Sequence, residues 1–216
     1  MAQQPIQHII TIDKNVVNEM PVVTYEGQIH IIDSVSQVAG AVRALRQTPI
    51  VGFDTETRPS FKRGEMHKVS LMQLSTLTHC FLFRLKHTGM PAPLKDYLED
   101  AGCLKVGLST HDDFKVLHRV YAFEPAGFVE LQELVKRYEI GDLGLQKVFA
   151  ILFQQKISKS QRLTNWDAAR LTEAQQHYAA LDAWACIRIY ERLTSGQFDP
   201  LASPYRHVVE PPTTSD

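Results

Sequence analysis

A chain of 216 residues, 44% hydrophobic and 22% charged, has the length of one domain with short appendages and enough apolar content to bury an extensive core. Such a composition excludes a disordered polyelectrolyte, a collagen-like repeat and a small disulfide-stapled module. With 23 lysines and arginines against 24 aspartates and glutamates, the formal charge is −1, so a polyanion cannot be held by overall charge; local patches or bound cations would have to do it.

Residues 1–27 are polar with short apolar alternations and carry no recognisable motif. From Ser34, the segment SVSQVAGAVRALRQ sets Val35, Val38, Val42 and Leu45 at helical spacing, and Pro49 stops the amphipathic helix this predicts. IVGFDTET follows as a buried strand, rich in β-branched and aromatic residues. After a loop with Pro59 and Gly64, VSLMQLST and HCFLFRL read as two further strands, and a sheet of successive antiparallel strands is their natural assembly. LKDYLEDAG predicts a helix, KVGLS a fourth strand, and HDDFKVLHRVYAF the helix after it. Beyond Pro125, FVELQELVKRYE and LGLQKVFAILFQQ are expected to be helical. LTEAQQHYAALDAWACIRIYERL is a long terminal helix, starting near Thr172, which forms a capping-box pattern with Gln175. Pro200, Pro204, Pro211 and Pro212 predict an extended or disordered tail. The order points to one mixed α/β domain over 28–195, between an N-terminal extension (1–27) and a Pro-rich tail (196–216).

Cys80, Cys103 and Cys186 form no CxxC pair and are expected to be small core thiols. With no basic leader and no apolar run near membrane-spanning length, the expectation is a soluble cytoplasmic protein with no membrane partner. Nothing in the sequence points to an obligate protein partner.

Chemistry concentrates in the carboxylates. Side chains alternate across a strand, so Asp54 and Glu56 share one face of IVGFDTET with Ile50 and Gly52, while Val51, Phe53 and Thr55 take the other. Two carboxylates on an otherwise apolar strand are costly unless cations neutralise them, and Gly52 beside them leaves room for something to approach. Tyr178 and Asp182, four apart on the terminal helix, lie one above the other. Asp112 and Asp113 follow the KVGLS strand, where acidic residues also suit the first turn of a helix. Each motif alone has an ordinary structural reading. Together, a strand DxE, an aspartate at a strand-to-helix junction and a YxxxD late in a long helix are what a two-metal phosphodiesterase needs, since magnesium or manganese takes oxygen ligands.

The stretches VGFDTETRPSFKRGEMHKVSLMQLS, KVGLSTHDDFKVLHR, FVELQELVKRYEIGDLGLQKVF and LTNWDAARLTEAQQHYAALDAWACIRIYERL resemble, in order, the DnaQ-like (DEDD) 3′–5′ exonucleases. The similarity is to the tyrosine-bearing DEDDy branch, and within it to the Werner syndrome exonuclease domain and ribonuclease D. The resemblance implies a ribonuclease H-like fold, a mixed β-sheet flanked by α-helices. It also implies two divalent cations, Mg²⁺ or Mn²⁺, and release of nucleoside 5′-monophosphates from the 3′ end of DNA or RNA. Carried over, Asp54 bridges both ions, Glu56 and Asp182 share the ion that activates water, the second-motif aspartate serves the other, and Tyr178 orients the water. A catalytically inactive nucleic-acid-binding module of the same fold is the alternative.

For the second motif, the family pattern has a leucine four residues after the aspartate and a basic residue two further on. Asp113 meets this with Leu117 and Arg119, while Asp112 offers Val116 and His118. His177 also stands five residues before Asp182, the spacing of the superfamily's histidine branch. At about 100° per helical residue, Tyr178 lies about 40° from Asp182 and His177 about 140°, which favours Tyr178. Two basic stretches flank the motifs: Arg58, Lys62, Arg63 and Lys68, and Lys156, Lys159, Arg162 and Arg170. Lys62, Arg63, Lys159 and Arg162 are expected to contact phosphates, with KISKSQRLTNW closing on the strand. Met72 and Leu74 are candidate wedges against a terminal base, although core packing is the commoner use of such residues. Trp166 is expected to anchor its loop by packing.

Overall fold

The computed structural model describes residues 7–62 and 64–209. In chain order its elements are β1 (His8–Ile10), α1 (Lys14–Glu19), β2 (Gln28–Ile32), α2 (Val35–Leu45), β3 (Ile50–Thr57), β4 (Val69–Ser75) and β5 (His79–Arg84). There follow α3 (Leu85–Thr88), α4 (Ala92–Leu98), β6 (Leu104–Gly107), α5 (Thr110–Leu117), β7 (Phe128–Glu130), α6 (Leu131–Lys136), α7 (Leu145–Phe153) and α8 (Glu173–Thr194). A 3₁₀ turn (Pro200–Ala202) and β8 (Arg206–Val208) complete them.

The strands form a six-stranded sheet in the order β2-β5-β4-β3-β6-β7. β3, β4 and β5 run antiparallel in succession, as their short polar connections require, while β2, β6 and β7 join parallel to their neighbours. Helices cover both faces of this mixed sheet. On one face α2 and α4 bury Val38, Val42, Leu45, Leu94, Tyr97 and Leu98 against Val51, Phe53, Met72, Leu74 and Phe83. On the other, α6, α7 and α8 pack over Leu71, Leu82 and Val106. Met72 and Leu74 are fully buried, so neither can wedge against a base.

The alternation read in IVGFDTET holds, with Val51 and Phe53 facing α2 and α4. What approaches Gly52 is α8 itself. A Cβ at Gly52 would lie 1.8 Å from the Ala183 carbonyl oxygen, so only glycine lets the helix backbone rest on β3. That contact sets the residue before it, Asp182, over the strand that carries Asp54 and Glu56.

Several stretches differ from the sequence expectation. FVELQELVKRYE is split, since Phe128–Glu130 pairs with β6 as β7 and only Leu131–Lys136 is helical. Of the two forms expected for the tail, its described part takes the extended one in β8, which pairs antiparallel with β1, and Arg206 Nε donates to Glu139 Oε2 at 2.6 Å. Pro211 and Pro212 lie outside the described residues. Within 1–27, α1 buries Val17 and β1 buries Ile10. Cys80 and Cys186 are buried thiols as expected, but Cys103 is only half-buried, beside Asp100 and Arg46. No helix among the described residues is long and apolar enough to cross a membrane.

Candidate active site

Three elements deliver the carboxylates. β3 presents Asp54 and Glu56 at its open end, next to a register irregularity where Glu56 pairs with Leu71 but Thr57 with Val69. Bulges of this kind re-aim side chains beside functional sites. α8 delivers Asp182, and its start is fixed by a capping box in which Thr172 Oγ1 accepts from Gln175 N at 3.2 Å and Gln175 Oε1 accepts from Thr172 N at 3.0 Å. One carboxylate oxygen from each of Asp54, Glu56 and Asp182 falls in a group with no separation above 4.8 Å.

Asp113 stands outside that tight group but faces it. Its carboxylate accepts from the Thr55 hydroxyl on β3, and its charge is felt at Glu56. Asp112 points to solvent and pairs with Lys115 at 2.8 Å. The structure therefore brings Asp113, and not Asp112, to the other carboxylates.

The electrostatics are those of a crowded anionic pocket. Burial first, then Asp182, pushes Asp54 well above the carboxylate range. Burial followed by the charges of Asp54, Asp182 and Asp113 carries Glu56 up to about 10. Burial, then Asp54, takes Asp113 to about 8. Asp182 rises to about 7 through burial, with the Tyr178 hydroxyl and Lys159 pulling it back. Among the described residues, Asp182 Oδ1 is buried without a hydrogen-bond partner. Clustered oxygen donors, one of them orphaned, fit a hard divalent cation.

Tyr178 is half-buried, and its phenol is pushed up by burial and then by Asp182, Glu56 and Asp54. Its ring lies 6.0 Å from that of Trp166, which is fully buried as an anchor of its loop. His177 turns outward, 3.9 Å from Glu173. Of the basic residues, Lys159 and Arg162 lie close enough for their charges to be felt at Asp182 and Glu56 respectively. Lys62 is exposed, on the wall of a depression of about 340 Å³ where its loop meets Leu163 and Asn165. Arg63 lies outside the described residues.

Two supporting residues escape a reading by motif. Gln73 is fully buried, pairs across the strands with Asp54, and has neither amide atom in a hydrogen bond among the described residues. Its signal was an amide inside the otherwise apolar VSLMQLS. Glu130, at the end of β7, accepts from Ser109 N (2.9 Å), Thr110 N (2.6 Å) and the Thr110 hydroxyl (2.8 Å), and so clamps the start of the helix that carries Asp113. Ser109 holds a left-handed φ of 65° at that junction.

A 3′-5′ exonuclease family profile matches residues 29–196. The chain is 32% identical over 149 residues to a 3′-5′ exonuclease of Arabidopsis thaliana, covering 66% of this chain and 52% of that protein. It is 36% identical over 157 residues to the bifunctional 3′-5′ exonuclease/ATP-dependent helicase WRN of Mus musculus, covering 69% of this chain and 11% of that one. The chain thus spans about half of the first relative and about a tenth of the second. Among solved structures, Escherichia coli RNase D superposes with a TM-score of 0.70 at 26% identity, over 78% of this chain and 44% of that one. The mixed sheet with helices on both faces is the ribonuclease H-like fold of these neighbours, and with the match across most of its length the chain belongs to the 3′-5′ exonuclease domain family.

Proposed function

We propose that the chain is a metal-dependent 3′–5′ exonuclease that hydrolyses DNA or RNA from the 3′ end and releases nucleoside 5′-monophosphates. One observation carries this reading. Four carboxylates from β3, α5 and α8 converge, and Asp54, Asp113 and Asp182 each raise the cost of ionising a neighbour in the group, an arrangement that bound cations would turn from a liability into a site.

Asp54, Glu56 and Asp182 would hold the ion on the side of the attacking water, and Asp113 together with Asp54 the second. When bound there, Mg²⁺ or Mn²⁺ would supply positive charge, lowering the cost of ionising a water and of charge on the leaving 3′ oxygen. Tyr178, whose phenol stays protonated, would donate toward the water and fix its line of attack. Lys159 and Arg162 would hold the phosphate of the terminal nucleotides.

A 5′-labelled single strand incubated with Mg²⁺ or Mn²⁺ is expected to shorten one nucleotide at a time, to yield mononucleotides, and to stop on EDTA addition. Matched DNA and RNA strands then establish the sugar preference. Binding without cleavage under either metal would identify a catalytically idle module instead. Asp113→Asn is expected to lose about 10²-fold in kcat while Asp112→Asn stays within about twofold. Tyr178→Phe is likewise expected to lose about 10²-fold, with His177→Ala unaffected. The reverse pattern in either pair overturns that assignment.

A further inference from the structure

Between α1 and the basic loop before α8 lies a depression of about 510 Å³, lined by Lys14, Asn18, Gln146, Lys156, Lys159 and Arg162 among others, with no carboxylate on its walls. Four of its residues are cations in a chain whose total charge is −1, so the balanced composition conceals a local excess. The walls are tied together. Val23 N donates to Lys156 O at 3.0 Å, Lys156 N to Pro21 O at 2.9 Å, and Lys156 Nζ reaches Asn18 O. From the other side Gln146 Nε2 donates to Ile157 O at 2.7 Å, and at the far end of the loop Gln175 Nε2 binds Thr164 Oγ1 at 3.0 Å. The N-terminal segment is therefore part of this surface, holding the loop in place and adding Lys14 to it.

Lys159 and Arg162 line this depression and their charges are also felt at Asp182 and Glu56, so their wall is the one toward the carboxylate cluster, while Lys14 is contributed by α1. We propose that this trough is a track for the backbone phosphates of a single-stranded nucleic acid upstream of its 3′ terminus, with Lys14 of α1 as its outermost contact. A polyanionic strand suits it because four cations share one depression whose lining holds no acidic side chain. The inference rests on the exonuclease reading, which supplies the 3′ end at the cluster.

Lys14 is exposed and makes no ion pair among the described residues, so its charge can be reversed without loss of a structural contact. The test compares the wild-type protein with Lys14→Glu on end-labelled single strands of about three and about fifteen nucleotides, across a salt series. The wild-type protein is expected to favour the longer strand. Lys14→Glu is expected to raise KM about 3–10-fold on that strand only, to leave kcat and the short strand unchanged, and to flatten the logarithmic salt dependence by about one phosphate contact. Lys14→Gln is expected to fall between. Undiminished length preference and salt slope in an active Lys14→Glu protein overturns the track and leaves the exonuclease reading standing. Failure of the wild-type protein to cleave either strand with Mg²⁺ or Mn²⁺ removes both.

Discussion

Asp54→Asn is expected to abolish nucleolytic activity, by at least about 10³-fold in kcat, while leaving a folded and more heat-stable metal-free protein. Asp54 is linked to each of the other three carboxylates: it shares the tight group with Glu56 and Asp182, and its charge also raises Asp113. An amide keeps the shape of the side chain but not the charge a cation needs. The same amide removes a like charge from a place where several compete, and its NH₂ can donate to a neighbouring carboxylate. Asp182→Asn is expected to behave similarly, since Asp182 is only 7% exposed and its Oδ1 has no hydrogen-bond partner to lose among the described residues. Activity assays and thermal melts in EDTA at about pH 8 check both halves. Undiminished cleavage by a folded Asp54→Asn protein overturns the assignment, and a melt depressed by several degrees would show that these aspartates stabilise the fold rather than strain it.

The crowding of these carboxylates follows from where the helix lies, and much of this was legible. Period-2 alternation in IVGFDTET placed Asp54 and Glu56 on one face, and the helical period placed Tyr178 and not His177 beside Asp182. Both are local rules acting on long, strongly patterned segments. Gly52 was legible as room, but its occupant depends on α8 returning across the sheet from more than 120 positions later, a tertiary contact that no local pattern encodes. β7 was missed for a related reason. Phe128, Val129, Leu131, Leu134 and Val135 also fit a helix, and the extended form of Phe128–Glu130 is imposed by pairing with β6. β8 forms because β1, at the other end of the chain, offers it an edge. Glu130 and Gln73 escaped because their importance lies in partners on other elements: the Ser109–Thr110 amides for one, and the strand of Asp54 for the other.

The raised carboxyl groups also set how stability responds to pH and to metal. Glu56 at about 10, Asp113 at about 8 and Asp182 at about 7 hold protons in the folded state that the unfolded chain releases near pH 4. Below about pH 4 both states are protonated and the cluster contributes nothing to the difference. Above it the folded state binds more protons than the unfolded one, so stability falls with pH, from about 4 through about 10. In EDTA the melting temperature is therefore expected to decline steadily as the buffer moves from mildly acidic to alkaline. A divalent cation held by the ionised cluster of the folded state would displace those protons, so its stabilisation is expected to grow with pH over the same range. At a concentration about 100 times its Kd it adds about 2.7 kcal/mol, or roughly 5–10 °C for a domain of this size. Melting curves with EDTA and with Mn²⁺ or Mg²⁺ are expected to converge near pH 5 and to diverge by several degrees at pH 8, and titration with metal at pH 7 is expected to release protons. Parallel curves, with an equal shift at both pH values, would show that the metal binds somewhere other than these carboxylates. In Asp182→Asn the divergence is expected to shrink, because the variant has lost both a raised group and a ligand.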